Sequence, residues 1–83
     1  MKITEKLLTD NGYYLDNSLG YKIYVKDRVE FKKGMSNRIG AEWTVHIDST
    51  DMNTICQCDI GTIEEYNDLI TKVLDEDKEL LLL

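Results

Sequence analysis

Thr62, Ile63, Glu64, Glu65 and Tyr66 open a stretch that reads as one kind of element only. Thr62 is a good helix N-cap, and Glu65 three positions on completes a capping box. Behind them Ile63, Tyr66, Ile70, Val73 and Leu74, with Leu69 at the flank, recur at helical spacing, so the pattern predicts an amphipathic helix with one apolar stripe. Asp75, Glu76 and Asp77 follow at positions where the helix macrodipole disfavours acids, which predicts that the helix frays or ends there. A helix of this kind needs a surface to cover its stripe, and the preceding residues supply strands.

Trp43, Thr44, Val45, His46, Ile47 and Asp48 form the strongest strand pattern, with Trp43, Val45 and Ile47 on one face and Thr44, His46 and Asp48 on the other. After a turn over residues 49–53, the segment from Thr54 to Ile60 returns. Only Cys56, Cys58 and Ile60 form an apolar set there, because the other face would bury Gln57 and Asp59. Partners in an antiparallel pair share a face, so the two cysteines should neighbour Val45 and Ile47 or Trp43 rather than His46.

Upstream, residues 13–15, 21–26 and 29–32 read as further short strands, joined by turns at 16–20 and at Asp27 and Arg28, with a loop over 33–40. Before them Thr4 reads as an N-cap, Ile3 and Leu8 as a hydrophobic staple, and Asn11 with Gly12 as a left-handed stop, which predicts a short helix from Glu5 to Asp10. The expected fold is a single α+β domain over residues 1–83: a short N-terminal helix, an antiparallel sheet of four or five strands, and a C-terminal helix packed on one sheet face.

The chain has 83 residues, enough for one thin core and too few for an enclosed active-site cavity. Its net charge of −6 is unevenly placed. Residues 59–83 hold eight acids against Lys72 and Lys78, whereas residues 1–58 hold eight of each sign. No long apolar run or leader-like pattern occurs, so a cytoplasmic setting without membrane contact is expected. Cys56 and Cys58 lie two apart on a strand, where a bond between them would be strained, and free thiols are expected.

Three kinds of chemistry have candidate residues in the chain. His46, Asp48, Cys56 and Cys58 include typical metal ligands, but the expected register sends the histidine and the thiols to opposite faces, so neither a metal, a cofactor nor a catalytic pair is expected. Lys22, Tyr24, Lys26, Lys32 and Lys33 would gather with His46 on the sheet face away from the long helix, a basic surface with an aromatic that could meet nucleic acid by phosphate contact and stacking. A sequence pI of about 4.6 weighs against a dedicated nucleic-acid binder, which makes that the second reading. Glu64, Glu65 and Asp68 form an acidic helix face that could imitate a phosphate backbone toward a basic partner, or simply be a solvated surface. Leu80, Leu81, Leu82 and Leu83 cannot all face one core, and self-association as a homodimer through that tail is expected.

The run from Trp43 to Asp48, with Thr62, Ile63, Glu64, Glu65, Tyr66, Asn67, Asp68, Leu69 and Ile70 after a short strand, resembles small uncharacterised proteins carried by phages and mobile elements of gut bacteria. The resemblance spans about the C-terminal half and brings no catalytic motif. It implies a host-cytoplasm setting and a short, non-enzymatic protein-interaction protein with an unidentified partner, acting on host machinery.

Overall fold

Thr4 sits in extended backbone and its hydroxyl accepts from the Leu7 amide at 3.1 Å, which starts α1, Glu5–Asp10. Gly12, at φ 90°, ends it in the left-handed conformation that glycine adopts without steric cost. The structure, a computed structural model of the chain, describes residues 1–48, 54–74 and 80–82. The expected turn over 49–53, the helix end at Asp75, Glu76 and Asp77, and Leu83 lie outside the described residues.

Five strands follow α1: β1 (Tyr14–Asp16), β2 (Ile23–Lys26), β3 (Val29–Lys33), β4 (Trp43–Asp48) and β5 (Thr54–Ile60). They form an antiparallel meander in the order β1-β2-β3-β4-β5, with β1 and β5 as the edges. The chain then enters α2, Ile63–Leu74. The Thr62 hydroxyl accepts from the Glu65 amide at 3.2 Å as expected, whereas the Glu65 carboxylate reaches back to the Gly61 amide at 3.3 Å, one residue before the Thr62 amide of a capping box. The fold is therefore α+β, with a helix at each end of a five-stranded sheet.

α2 packs its stripe against the sheet. Ile63, Tyr66 and Ile70 join Leu8, Tyr13, Phe31, Trp43, Val45, Ile47 and Ile60 in one buried cluster. Phe31 is central to its aromatic part, with ring centroids 5.2 Å from Tyr13, 6.1 Å from Trp43 and 5.0 Å from Tyr66. The buried indole N–H of Trp43 donates to the Ile3 carbonyl at 3.0 Å, so the one polar atom of that side chain is satisfied. The first residues run beside the β5–α2 link, where Ile3 N–H bonds Gly61 O and Ile63 N–H bonds Met1 O.

The pairing of β4 with β5 matches the expected register: Val45 faces Cys58, Ile47 faces Cys56, and His46 faces Gln57. β2 does not match. The alternation was read with Tyr24 on the open face, yet Tyr24 is buried on the helix face, edge-on to Trp43 at 5.9 Å. The turn at Asp27 and Arg28 is the cause. A two-residue turn makes Lys26 and Val29 direct partners, and hence Tyr24 and Phe31 too, so even-numbered residues of β2 share a face with odd-numbered residues of β3.

The tail also differs from expectation. Leu81 is buried in the chain's own core, Leu80 packs against it, and Leu82 is 71% exposed. Asn67 on α2 holds Leu81 through both of its peptide groups, donating to the carbonyl at 3.1 Å and accepting from the amide at 2.8 Å. Asn11 at the end of α1 holds Leu82 in the same way, at 2.9 and 2.8 Å. The two carboxamides act as short strand mimics, and the buried leucine is not available to a second molecule.

Candidate functional site

The basic set divides into three places. Lys22 and Lys33 both reach Glu5 on α1, at 3.1 and 3.3 Å, and the Lys22 contact above all holds the Glu5 carboxyl below its ordinary pKa. Lys26 donates to the Asn11 carbonyl at 2.9 Å and lies over the Tyr13 ring. Lys32 and His46 remain on the open face, where the Lys32 amine stands 3.5 Å from His46 Nδ1. With Tyr24 buried as well, the six residues do not form one basic, aromatic surface.

His46 lies between Lys32 and Asp48, its Nε2 3.6 Å from the Asp48 carboxylate. The two thiols project from the opposite face of the sheet. Burial pushes the Cys56 thiol pKa up and neighbouring Cys58 adds to the effect, the opposite of what a nucleophile needs. Among the described residues no three His, Cys, Asp or Glu side chains are placed to hold a metal ion.

The acidic helix face is engaged by neighbours. Glu65 takes the Arg38 guanidinium at 2.8 Å, Glu64 takes the amino group of Met1, and Asp68 pairs with Lys72 at 2.9 Å one turn on. The Arg38 contact keeps the Glu65 carboxyl below its usual range. These pairs are exposed, so each contributes little to stability, but they break the row of carboxylates that mimicry of a phosphate backbone would need.

A different surface stands out at the edge of the sheet. The Asp48 amide donates to the Arg28 carbonyl across β3 at 2.9 Å, so even-numbered residues of β4 turn their peptide groups toward β3 and odd-numbered ones toward β5. Val45 with Cys58, and Ile47 with Cys56, are thus the hydrogen-bonded pairs. The same alternation turns the N–H and C=O of Gln57 and Asp59 away from the sheet. Ile55 is the extra residue of a bulge, since Ile47 pairs with Cys56 but Asp48 with Thr54, so the regular part of the edge runs over residues 56–60.

Beside this edge a groove of about 250 Å³ separates β5 from α2. Cys58, Ile60 and Leu69 form its apolar part, and Arg38, Asp59, Glu65, Asp68 and Lys72 its charged part. The loop before β4 is fastened next to it. Asp59 accepts from the Thr44 hydroxyl at 2.9 Å and from the Asn37 amide at 3.1 Å, and these two contacts, Thr44 first, lower its pKa. Gly61 allows the approach, because a Cβ there would stand 2.5 Å from the Gly40 carbonyl oxygen. At the tip of this pinned loop Ile39 is 100% exposed. The fixed loop thus carries a fully exposed isoleucine directly after Arg38, which lines the groove beside β5.

Neither the free edge of β5 nor the exposure of Ile39 is among the features expected from the residues alone. A signal existed for the first: in a meander the last strand has one neighbour only, and an apolar last strand without lysine or proline is an unguarded edge. Comparison of the chain with protein-family models, with curated proteins and with solved structures gave no match.

Proposed function

We propose that this chain is a small, non-enzymatic protein-interaction protein that docks through the free edge of β5, the adjoining groove against α2, and Ile39. One observation carries the reading: the peptide groups of Gln57 and Asp59 point outward from an edge beside a groove in which Cys58, Ile60 and Leu69 are ringed by charged side chains. Such an edge accepts an extended segment by strand addition, with backbone hydrogen bonds giving affinity and the groove giving selectivity. On this reading the partner is a host protein, which the resemblance of residues 43–48 and 62–70 to proteins of phages and mobile elements supports. The nucleic-acid reading is weaker, because the four lysines it requires are spread over three parts of the molecule and all four already have partners.

The test is capture of partners from nuclease-treated host lysate by the wild type, Gln57→Pro and Ile39→Ser. Proline at 57 removes an outward N–H without breaking the ladder to β4. The expected result is a protein partner retained after nuclease by the wild type and reduced in both variants. Loss of every partner on nuclease treatment, or equal capture by all three proteins, would overturn the reading.

A further inference from the structure

The open edge raises a specific question: which segment has the right peptide groups and side chains to lie against it. We infer that its occupant is β5 of a second copy, joined antiparallel about a two-fold axis at Cys58. The inference rests on the docking role of the edge argued above: in the isolated protein a second copy takes the place that the strand of a host partner would take.

The register follows from the bulge and from the direction of the peptide groups. The bulge at Ile55 leaves residues 56–60 as the regular edge, and the centre of that stretch is Cys58. A two-fold axis there sets Cys56 against Ile60 of the second copy, Gln57 against Asp59, and Cys58 against Cys58. Gln57 and Asp59 are the residues whose peptide groups face outward, so each of the two Gln57–Asp59 pairs exchanges two N–H···O=C bonds, four in all. Centring the axis on Gln57 instead would bring Asp59 against Ile55, the bulged residue, where the ladder is irregular.

Side chains agree with this register. On the helix face the facing row reads Cys56–Ile60, Cys58–Cys58 and Ile60–Cys56, an apolar ladder continuous with the Leu69 groove of each copy. On the other face the Gln57 carboxamide comes opposite the Asp59 carboxylate, a donor against an acceptor. The Cys58 pair falls at a non-hydrogen-bonded position, the closest cross-strand spacing, about 4.5 Å between Cα atoms. The result is a ten-stranded sheet with both α2 helices on one face. The net charge of −6 on each copy opposes the approach, so association strengthens as salt screens it.

The experiment combines sedimentation equilibrium of the full chain with copper–phenanthroline oxidation, in which two facing thiols form one disulfide and pass two protons and two electrons to the added oxidant. The expected results are a reversible dimer, a covalent dimer in the wild type and in Cys56→Ser, and none in Cys58→Ser. Charge at position 57 gives opposite signs: Gln57→Lys faces Asp59 and lowers the dimer Kd about fivefold or more, whereas Gln57→Glu raises it by at least as much. A chain that stays monomeric at about 100 times the concentration of ordinary assays overturns the inference. Equal weakening by Lys and Glu, or a covalent dimer that survives Cys58→Ser, overturns it as well. If the chain is monomeric but lysate capture still depends on Gln57 and Ile39, the second copy is rejected while the docking role stands.

Discussion

The leucine tail and the edge of β5 are both apolar segments at the margin of the molecule, yet they differ in how their backbones are satisfied. At the tail, Asn67 and Asn11 provide a donor and an acceptor to each of Leu81 and Leu82, and the Leu81 side chain enters the core. At β5, Gln57 and Asp59 turn their peptide groups toward solvent beside a groove lined by Cys58, Ile60 and Leu69 together with charged side chains. The tail is the more hydrophobic of the two in sequence, and the strand is the more open in structure. Unpaired peptide groups, more than the number of leucines, mark where a second chain can add.

The largest expected effect separates the leucines of the tail. Leu81→Ala should destabilise the fold by about 2–4 kcal/mol through lost burial and the cavity left behind, whereas Leu82→Ala should stay within about 0.5 kcal/mol. Denaturant unfolding of both variants checks this, and similar values for the two would mean that the tail is not seated as described.

Next in size is the clasp. Asn67→Ala leaves the amide and carbonyl of Leu81 without their partner and should cost about 1–3 kcal/mol. The corresponding change at the half-buried Asn11 should cost less, because its contacts with Leu82 lie at the exposed surface, where water replaces the lost partner. Comparison of thermal midpoints at one protein concentration reads the difference.

At the edge, the direction of the peptide groups predicts a contrast between neighbours. Cys56→Pro removes a ladder bond to β4 and should cost about 1–3 kcal/mol, whereas Gln57→Pro should cost about 1 kcal/mol or less. Equal losses would refute the alternation inferred from the Asp48–Arg28 bond.

The smallest effect concerns acid. Asp59 and Glu65, which fasten the loop carrying Ile39, have pKa values lowered by Thr44 and by Arg38 respectively. A depressed carboxyl contributes stability that is present above its unfolded pKa of about 4 and is lost as pH falls through the folded value. The loop should therefore loosen below about pH 4 and be unchanged between about pH 5 and 8. Chemical shifts of Asn37 and Arg38 across an acid titration would follow it, and a change centred near neutrality would point to a different cause.

Much of the architecture was legible from residues. The Thr4 and Thr62 caps, the Gly12 stop, and the alternation of β4 carry local signals strong enough to set element type and ends. The facing of Cys56 and Cys58 toward Val45 and Ile47 also followed from pattern, because only one face of β5 avoids burying Gln57 and Asp59. Tyr24 was misplaced because Tyr21, Ile23 and Val25 alternate as convincingly as a core face. The two-residue turn at Asp27, which fixes the pairing, outweighs that pattern and lets the aromatic side chains meet. The tail was misread because its seat depends on two asparagines far away in the chain, and nothing local announces them. The docking surface was missed for a related reason: an edge is defined by which strand is absent, and Ile39 became notable only once its loop was seen to be fastened and its side chain uncovered.

Amide hydrogen exchange, residue by residue at low and high protein concentration, tests the central claim most directly. The account predicts that Gln57 and Asp59 exchange quickly in dilute solution and become protected as concentration rises, while Cys56 and Cys58 are slow throughout and Leu81 and Leu82 do not change. Protection of Gln57 and Asp59 at every dilution, or concentration-dependent protection at Leu81 and Leu82 instead, would contradict it.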